Sequence, residues 1–325
     1  MNRRDDIKSG YGFEAPRNSG PDASRVAGSA ALTISRRRLL VAGAAATLLT
    51  ACGSNKTPSA GPKPKIPDSL LAFFGGAGAL RPGIPQRLTF GIGDSNGILV
   101  SDTKQHDLLF HLYDEHNRPV GPPTPTNSHS QGLPRAYYPV TATFPAAGNY
   151  HARTTYNGEA VDAAFEIDTV ANVKLPEPGD PMPVLTTPTA SQTMGVDPIC
   201  TQQPACPLHD VSLDRALQSH RPAALLVATP AYCQVAICGP VLDVLLSWRT
   251  KYGSQIDFIH AEVYANGAEA SKNLSSAQLS PTVTALHLPF EPCLLVANAS
   301  GIVTNRLDTI FDRTEVEDAL VRAVA

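Results

Sequence analysis

Two of the six cysteines, Cys233 and Cys238, lie between a predicted buried strand and a predicted helix. The strand is the apolar run PAALLVAT at 222–229, and the helix is expected near Pro240, because proline favours the first helical turn. The N-terminus of a helix carries partial positive charge and free N–H groups, which lower the pKa of a nearby thiol. Since the thiolate is the species that attacks a disulfide, this position predicts a reactive cysteine.

The spacing of this pair restricts its geometry. On one continuous helix, positions i and i+5 point about 140° apart and their Cα atoms lie about 8 Å apart, beyond the ~7 Å limit for a disulfide. A bond between Cys233 and Cys238 therefore requires that Cys233 lie in the loop before the helix. A purely structural disulfide remains the alternative to a reactive pair, because such bonds are common outside the cytoplasm.

The segment ATPAYCQVAICGP at 228–240 resembles the thioredoxin superfamily, in which a strand runs into an aromatic residue, a cysteine and a helix. The resemblance covers about residues 196–325, where we predict the order helix, strand, helix, strand, strand, strand, helix. It implies an α/β thioredoxin-like fold, with a parallel βαβ unit followed by a hairpin and a last helix. It also implies thiol–disulfide exchange.

The chain departs from the family in having Cys-x4-Cys where thioredoxins have Cys-x-x-Cys. Counted from the strand, Cys233 aligns with the family nucleophile. Aligned on Cys-Gly-Pro, Cys238 is the nucleophile and Val241 replaces the second cysteine. We favour Cys233 as the attacking thiol and Cys238 as the resolving thiol.

The resemblance further implies a cis-proline at the start of the third strand, facing the active-site cysteines. Pro292 fits this role in the sequence EPCLLV, which places Glu291 near the cysteine pair. A carboxylate there would raise the pKa of a neighbouring thiol or accept its proton. We interpret Cys293, the next residue, as a buried strand residue.

Cys200 and Cys206 flank a five-residue loop, and we predict a small structural disulfide between them. A zinc pair is disfavoured, because only His209 stands close in sequence and no Cys-x-x-Cys is present. No metal site and no cofactor is therefore expected.

The segment SRRRLLVAGAAATLLTAC at 35–52 is typical of an export signal. Its apolar run is shorter than the ~20 residues that span a bilayer. The start resembles a twin-arginine motif and LTAC resembles a bacterial lipobox, which implies cleavage before Cys52 and lipid, including fatty-acyl chains such as palmitate, on its sulfur. The alternative is a plain signal peptide or short anchor. We expect a lipid-anchored protein on the extracytoplasmic face of the cell membrane.

The chain divides into five predicted segments. Between residues 68 and 169, short strands of alternating apolar and polar residues, bounded by turn residues, predict an all-β sandwich of immunoglobulin-like type. The segments are a signal peptide (1–51), the lipidated cysteine with a flexible tether (52–67), the Ig-like sandwich (68–169), a Pro/Thr-rich linker (170–195) and the thioredoxin-like domain (196–325).

Residues 53–325 contain 18 Lys or Arg and 25 Asp or Glu, so this part is acidic and lacks the basic stripe that nucleic-acid binding needs. The expected partners are envelope proteins with thiols or disulfides, and the bilayer.

Two other functions stay open. One is an SCO-like copper chaperone, although Glu291 stands where that family has a histidine and the nearest is His287. The other is a non-catalytic scaffold.

Overall fold

The computed structural model describes residues 69–74, 76, 78–94, 107–233 and 236–325, which fall in one compact unit of the chain. The expected signal peptide, the lipidation site at Cys52 and the tether lie outside these residues. No helix in the described part of the chain is long and apolar enough to cross a membrane.

The N-terminal region contains only β-strands, in two antiparallel sheets. Side chains from both sheets meet in one core, where Leu88, Phe90, Phe110 and Ile167 are fully buried. Each such side chain contributes about 1.5–3 kcal/mol on burial. The first sheet has the order β1 (Ser69–Ala72), β2 (Pro85–Gly93), β5 (Tyr138–Thr143), and the second has the order β4 (Thr124–Asn127), β3 (Asp107–Asp114), β6 (Gly148–Tyr156), β7 (Glu159–Ile167).

Strand β4 has no counterpart among the predicted strands. Its sequence TPTN shows no apolar alternation, because it is a short edge strand whose residues are all at least partly exposed. Pro125 is tolerated there, since an edge strand has one side without ladder hydrogen bonds.

The Pro/Thr-rich stretch at 170–195 packs against the fold although it forms no helix or strand in the described structure. Leu175 and Met182 are each only 3% exposed. Glu177 accepts a hydrogen bond from the Arg306 guanidinium at 3.0 Å, in a buried ion pair. This stretch is therefore part of the core, which its composition alone did not indicate.

The C-terminal region is a mixed α/β layer structure around one four-stranded sheet with the order β11-β10-β8-β9. Strands β8 and β9 are parallel, whereas β10 pairs antiparallel with both β8 and β11. These strands are β8 (Ala223–Val227), β9 (Asp257–Ala261), β10 (Cys293–Ala297) and β11 (Val303–Asp308), and the helices are α1 (Leu213–Gln218), α2 (Cys238–Tyr252), α3 (Gly267–Ala270), α4 (Pro281–Leu286) and α5 (Arg313–Val324).

Both faces of this sheet are covered. Every residue of β8 and β10 is buried, as expected for central strands of a sheet between helical layers. Helices α2 and α5 pack on one face and α1 and α4 on the other. A parallel βαβ unit followed by an antiparallel hairpin and a helix resembles a thioredoxin-like fold, which bears out the α/β prediction.

A cluster of partly buried polar groups joins β2 of the N-terminal region to α5. The Arg87 guanidinium donates to both carboxylate oxygens of Glu315, at 2.8 and 2.6 Å, and to the carbonyl oxygens of Asp308 and Ile310. The Tyr137 hydroxyl also donates to Glu315. Arg87 thus makes four hydrogen bonds through its guanidinium N–H groups, and its side chain is only 15% exposed.

We expect Arg87→Ala to lower the free energy of unfolding by about 3–5 kcal/mol, because it leaves the Glu315 carboxylate without its cation in a site that is mostly closed to water. Urea unfolding followed by circular dichroism measures this change. The matched control is Arg118→Ala, whose pair with Asp114 is on the surface and should cost less than about 1 kcal/mol. Equal losses in both variants would contradict a stabilising role for the Arg87 pair.

Candidate functional site

The cysteine pair lies where β8 passes into α2. Helix α2 begins at Cys238, and Cys233 lies in the preceding loop, as the five-residue separation requires. A disulfide joins the two residues, with their Cα atoms 5.9 Å apart. Cys233 is half-buried, whereas Cys238, the first residue of the helix, is fully buried in the core.

The N-terminus of α2 faces the outer sulfur. The backbone N–H of Cys238 donates to Cys233 Sγ at 3.3 Å, and the N-cap residue Ile237 makes no side-chain capping hydrogen bond. When the bond is reduced, this N–H and the helix dipole favour the thiolate form of Cys233. The local electrostatics therefore suit an attacking thiol at this position.

Glu291 lies against the inner sulfur. Its Oε2 atom is 3.5 Å from Cys238 Sγ and accepts a hydrogen bond from the Thr229 N–H at 2.9 Å. Burial raises the pKa of Glu291 to about 7; the Thr229 N–H opposes this shift, and the nearby charge of Glu262 adds to it. A carboxyl group that exchanges protons near neutral pH is thus in contact with Cys238.

The Glu291–Pro292 peptide is cis, at the position that the family resemblance implies, and β10 begins at the next residue. Cys293 is a free thiol with no exposed surface, and burial raises its pKa well above the usual value. Its Sγ atom lies 3.7 Å from Asp308 Oδ1. These surroundings are those of an inert core residue, as expected for Cys293.

A pocket of about 490 Å³ opens beside the pair. Cys233 and Glu291 contribute to its wall, and the rest is mainly apolar. The other residues that line it are Val263, Tyr264, Leu279, Val283, Leu288, Pro289 and Phe290.

The expected disulfide between Cys200 and Cys206 is absent, and both residues are free, buried thiols. Their sulfurs face imidazoles instead, because strand β9 brings His260 to them from far along the chain. Cys206 Sγ lies 3.3 Å from His209 Nε2 and 3.4 Å from His260 Nδ1. Hydrogen bonds from Cys206 and from the two histidines lower the pKa of Cys200.

The donor groups around the Cys233–Cys238 pair differ from those of a copper chaperone. Among the described residues, the one further potential metal ligand within 4.8 Å of the two sulfurs is the Glu291 carboxylate. His287 ends helix α4 and does not belong to this group. Two sulfurs and a carboxylate lack the imidazole that the SCO-like alternative requires.

No family model matches this chain, and no curated protein matches it. Among solved structures, the chain is similar to a "putative Thiol:disulfide interchange protein DsbE" from Chlorobium tepidum. The two share 14% identity with a TM-score of 0.34, over 46% of this chain and 99% of that chain.

The pKa of Glu291 predicts a pH dependence for the Cys238 thiol. Above about pH 7 the carboxylate can accept the thiol proton, so the rate at which Cys238 displaces a partner from Cys233 should rise through this pH. Glu291→Gln should abolish this rise with pH, because an amide cannot accept the thiol proton, and should lower the rate above pH 7 by about 10²-fold. The measurement is single-turnover release of a chromogenic thiol from a Cys233 mixed disulfide between pH 5 and 9.

The control for this measurement is Glu269→Gln, which changes an exposed carboxyl on α3 and should leave the profile unchanged. A step near pH 7 that persists in the Glu291 variant would show that another group accepts the proton.

Proposed function

We propose that this protein is a membrane-anchored, extracytoplasmic thiol–disulfide exchange protein that acts through Cys233 and Cys238. One observation carries the proposal: the half-buried residue Cys233, which also lines a pocket, is bonded to the fully buried Cys238 at the first residue of α2. The outer sulfur can be reached by a partner protein, and the inner one cannot. This asymmetry separates an attacking thiol from a resolving thiol.

The reaction begins with the reduced pair. The Cys233 thiolate attacks one sulfur of a partner disulfide, forms a mixed disulfide and expels the other partner sulfur as a thiolate. Cys238 then gives its proton to Glu291 and attacks Cys233 Sγ, which releases the second partner sulfur and leaves the Cys233–Cys238 disulfide. Two electrons pass from the protein to the partner, and the reverse sequence oxidises a partner dithiol.

The apolar pocket beside Cys233 favours a polypeptide as the partner. Its walls, which include Leu279, Leu288 and Phe290, suit a cysteine flanked by apolar side chains, as in an envelope protein that is not fully folded. The acidic balance of residues 53–325 disfavours nucleic acid as a partner.

The proposed location is the outer face of the cell membrane. The signal-like segment at 35–52 and its terminal Cys52 support export and lipid anchoring. An oxidising compartment is also where a protein disulfide persists.

The N-terminal sheets are proposed to form an immunoglobulin-like sandwich. Their strand orders, β1-β2-β5 and β4-β3-β6-β7, are compatible with this type. The Tyr150 hydroxyl donates to the carbonyl oxygen of Ala146 at 2.8 Å, a contact like the tyrosine corner of these folds. In this proposal the sandwich holds the exchange domain or binds a partner.

Thiol trapping tests the exchange reaction. In cells that express the full chain, Cys238→Ser should accumulate mixed disulfides with envelope proteins, because Cys233 can attack but cannot be released. Cys233→Ser should accumulate none, and Cys293→Ser serves as the control for loss of a buried thiol. Acid quenching, alkylation and non-reducing electrophoresis give the readout.

Two results would oppose the proposal. Mixed disulfides that form in Cys233→Ser and not in Cys238→Ser would assign the attack to Cys238. A pair that stays oxidised in redox buffers below about −300 mV would be a structural bridge, which favours the scaffold function.

The anchor has a separate test. Cys52→Ala should move the protein from the membrane fraction to the soluble fraction and abolish incorporation of labelled fatty acid, because the lipid is attached to this sulfur. Cys293→Ala is the control and should remain at the membrane. Unchanged membrane association and labelling in the Cys52 variant would refute lipid anchoring at this residue.

A further inference from the structure

A second cluster of cysteine and histidine side chains lies apart from the redox pair, below the loop that carries Cys233. Cys200, Cys206 and His209 come from the segment that precedes α1, and His260 is the penultimate residue of β9. Their exposed fractions are 3%, 7%, 4% and 0%, so the cluster is closed to solvent. The proposed exchange reaction uses none of these residues.

The donor atoms of these four side chains lie close together. All four lie within 4.8 Å of one another. Cys206 Sγ is 3.3 Å from His209 Nε2 and 3.4 Å from His260 Nδ1, and Cys200 Sγ is 3.9 Å from His260 Nδ1. With Zn–N bonds of about 2.0 Å and Zn–S bonds of about 2.3 Å, tetrahedral ligands are separated by about 3.3–3.8 Å.

The tautomer of His260 is fixed by a backbone contact. Its Nε2 atom is 3.1 Å from the Ala228 carbonyl oxygen, which can only accept, so Nε2 carries the hydrogen. The Nδ1 lone pair therefore points toward Cys200 and Cys206. A histidine that donates to a backbone carbonyl through one nitrogen and binds metal through the other is a recurrent arrangement in metal sites.

We propose that Cys200, Cys206, His209 and His260 bind one Zn²⁺ ion as a closed structural site. Binding exchanges two thiol protons, released to solvent, for two Zn–S bonds, with no change in oxidation state. Two thiolates and two neutral imidazoles balance the charge of a divalent cation, whereas Cu⁺ would leave a buried negative charge. Four protein ligands also leave no position for substrate, which separates this site from a hydrolytic one.

The ion would hold in place the chain segments that contact the loop leading to Cys233. The Ala231 N–H donates to the Thr201 hydroxyl oxygen at 3.2 Å, next to Cys200, and Ala228 receives the hydrogen bond from His260. Metal bound by Cys200 and His260 would therefore hold the two chain segments that contact the loop leading to Cys233. This assignment does not depend on whether Cys233 exchanges disulfides.

The test is the metal content of the full-length chain, purified in detergent without chelator from cells grown with zinc. Mass spectrometry of the metals should find about one zinc per chain. The double variant Cys200→Ser/Cys206→Ser should fall below about a tenth of this content. The double variant Cys233→Ser/Cys238→Ser is the matched control, with the same loss of two sulfurs, and should keep its zinc.

Two measurements on the native chain keep the proposal testable if the Cys200 variant does not fold. Replacement of the metal by Co²⁺ should give the intense visible absorption of a tetrahedral thiolate site, and a strong chelator should lower the melting temperature. A Cys200–Cys206 disulfide in peptides mapped without reduction would overturn the proposal. Copper in place of zinc, or a native chain without bound metal, would also overturn it.

Discussion

Two residues that follow β8, Ala228 and Thr229, hold both cysteine clusters in place through hydrogen bonds. The Ala228 carbonyl accepts from His260, and the Thr229 N–H donates to Glu291. The Thr229 hydroxyl accepts from the Val263 N–H at 2.8 Å, which ties the end of β8 to the chain that leaves β9. Both residues are fully buried, so water cannot replace these partners without opening the sheet. The carboxyl end of one central strand therefore contacts the residues that surround both the Cys233–Cys238 pair and the Cys/His cluster.

The N-terminal sheets contact the helical layer that α2 and α5 form on one face of the α/β sheet. Arg87 on β2 binds Glu315 on α5, and α5 packs with α2 on one face of the α/β sheet. On β11, Arg306 pairs with Glu177 from the Pro/Thr-rich stretch and with Asp308, and all three side chains are nearly inaccessible. Charges buried in pairs of this kind are costly to separate. Separation of the two regions would therefore break the Arg87–Glu315 ion pair.

Much of the fold follows from local pattern. Alternating strands, the buried run at 222–229 and the need for a loop before α2 are all readable from residue type and spacing, because they depend on neighbours in sequence. The partner of Cys200 and Cys206 is not readable in this way. His260 lies more than fifty residues further along the chain, and a backbone hydrogen bond from its N–H to the Leu208 carbonyl oxygen holds the segment of Cys206 against β9. Strand β4 and the packing of Glu177 were missed for the same reason, since each depends on long-range contacts and not on its own composition.

The cysteines of the described chain differ in how much of their surface is exposed. Cys238 and Cys293 have no exposed surface, and Cys200 and Cys206 have very little, whereas Cys233 alone among the described cysteines is open enough to be touched. A large partner that approaches this domain can therefore form a covalent link at one sulfur only. An adduct formed through the described cysteines therefore has a stoichiometry of one partner sulfur per chain. In any exchange reaction at this pair, the packing alone makes Cys233 the sulfur that a partner contacts first, whatever the reduction potentials or pKa values of the two thiols.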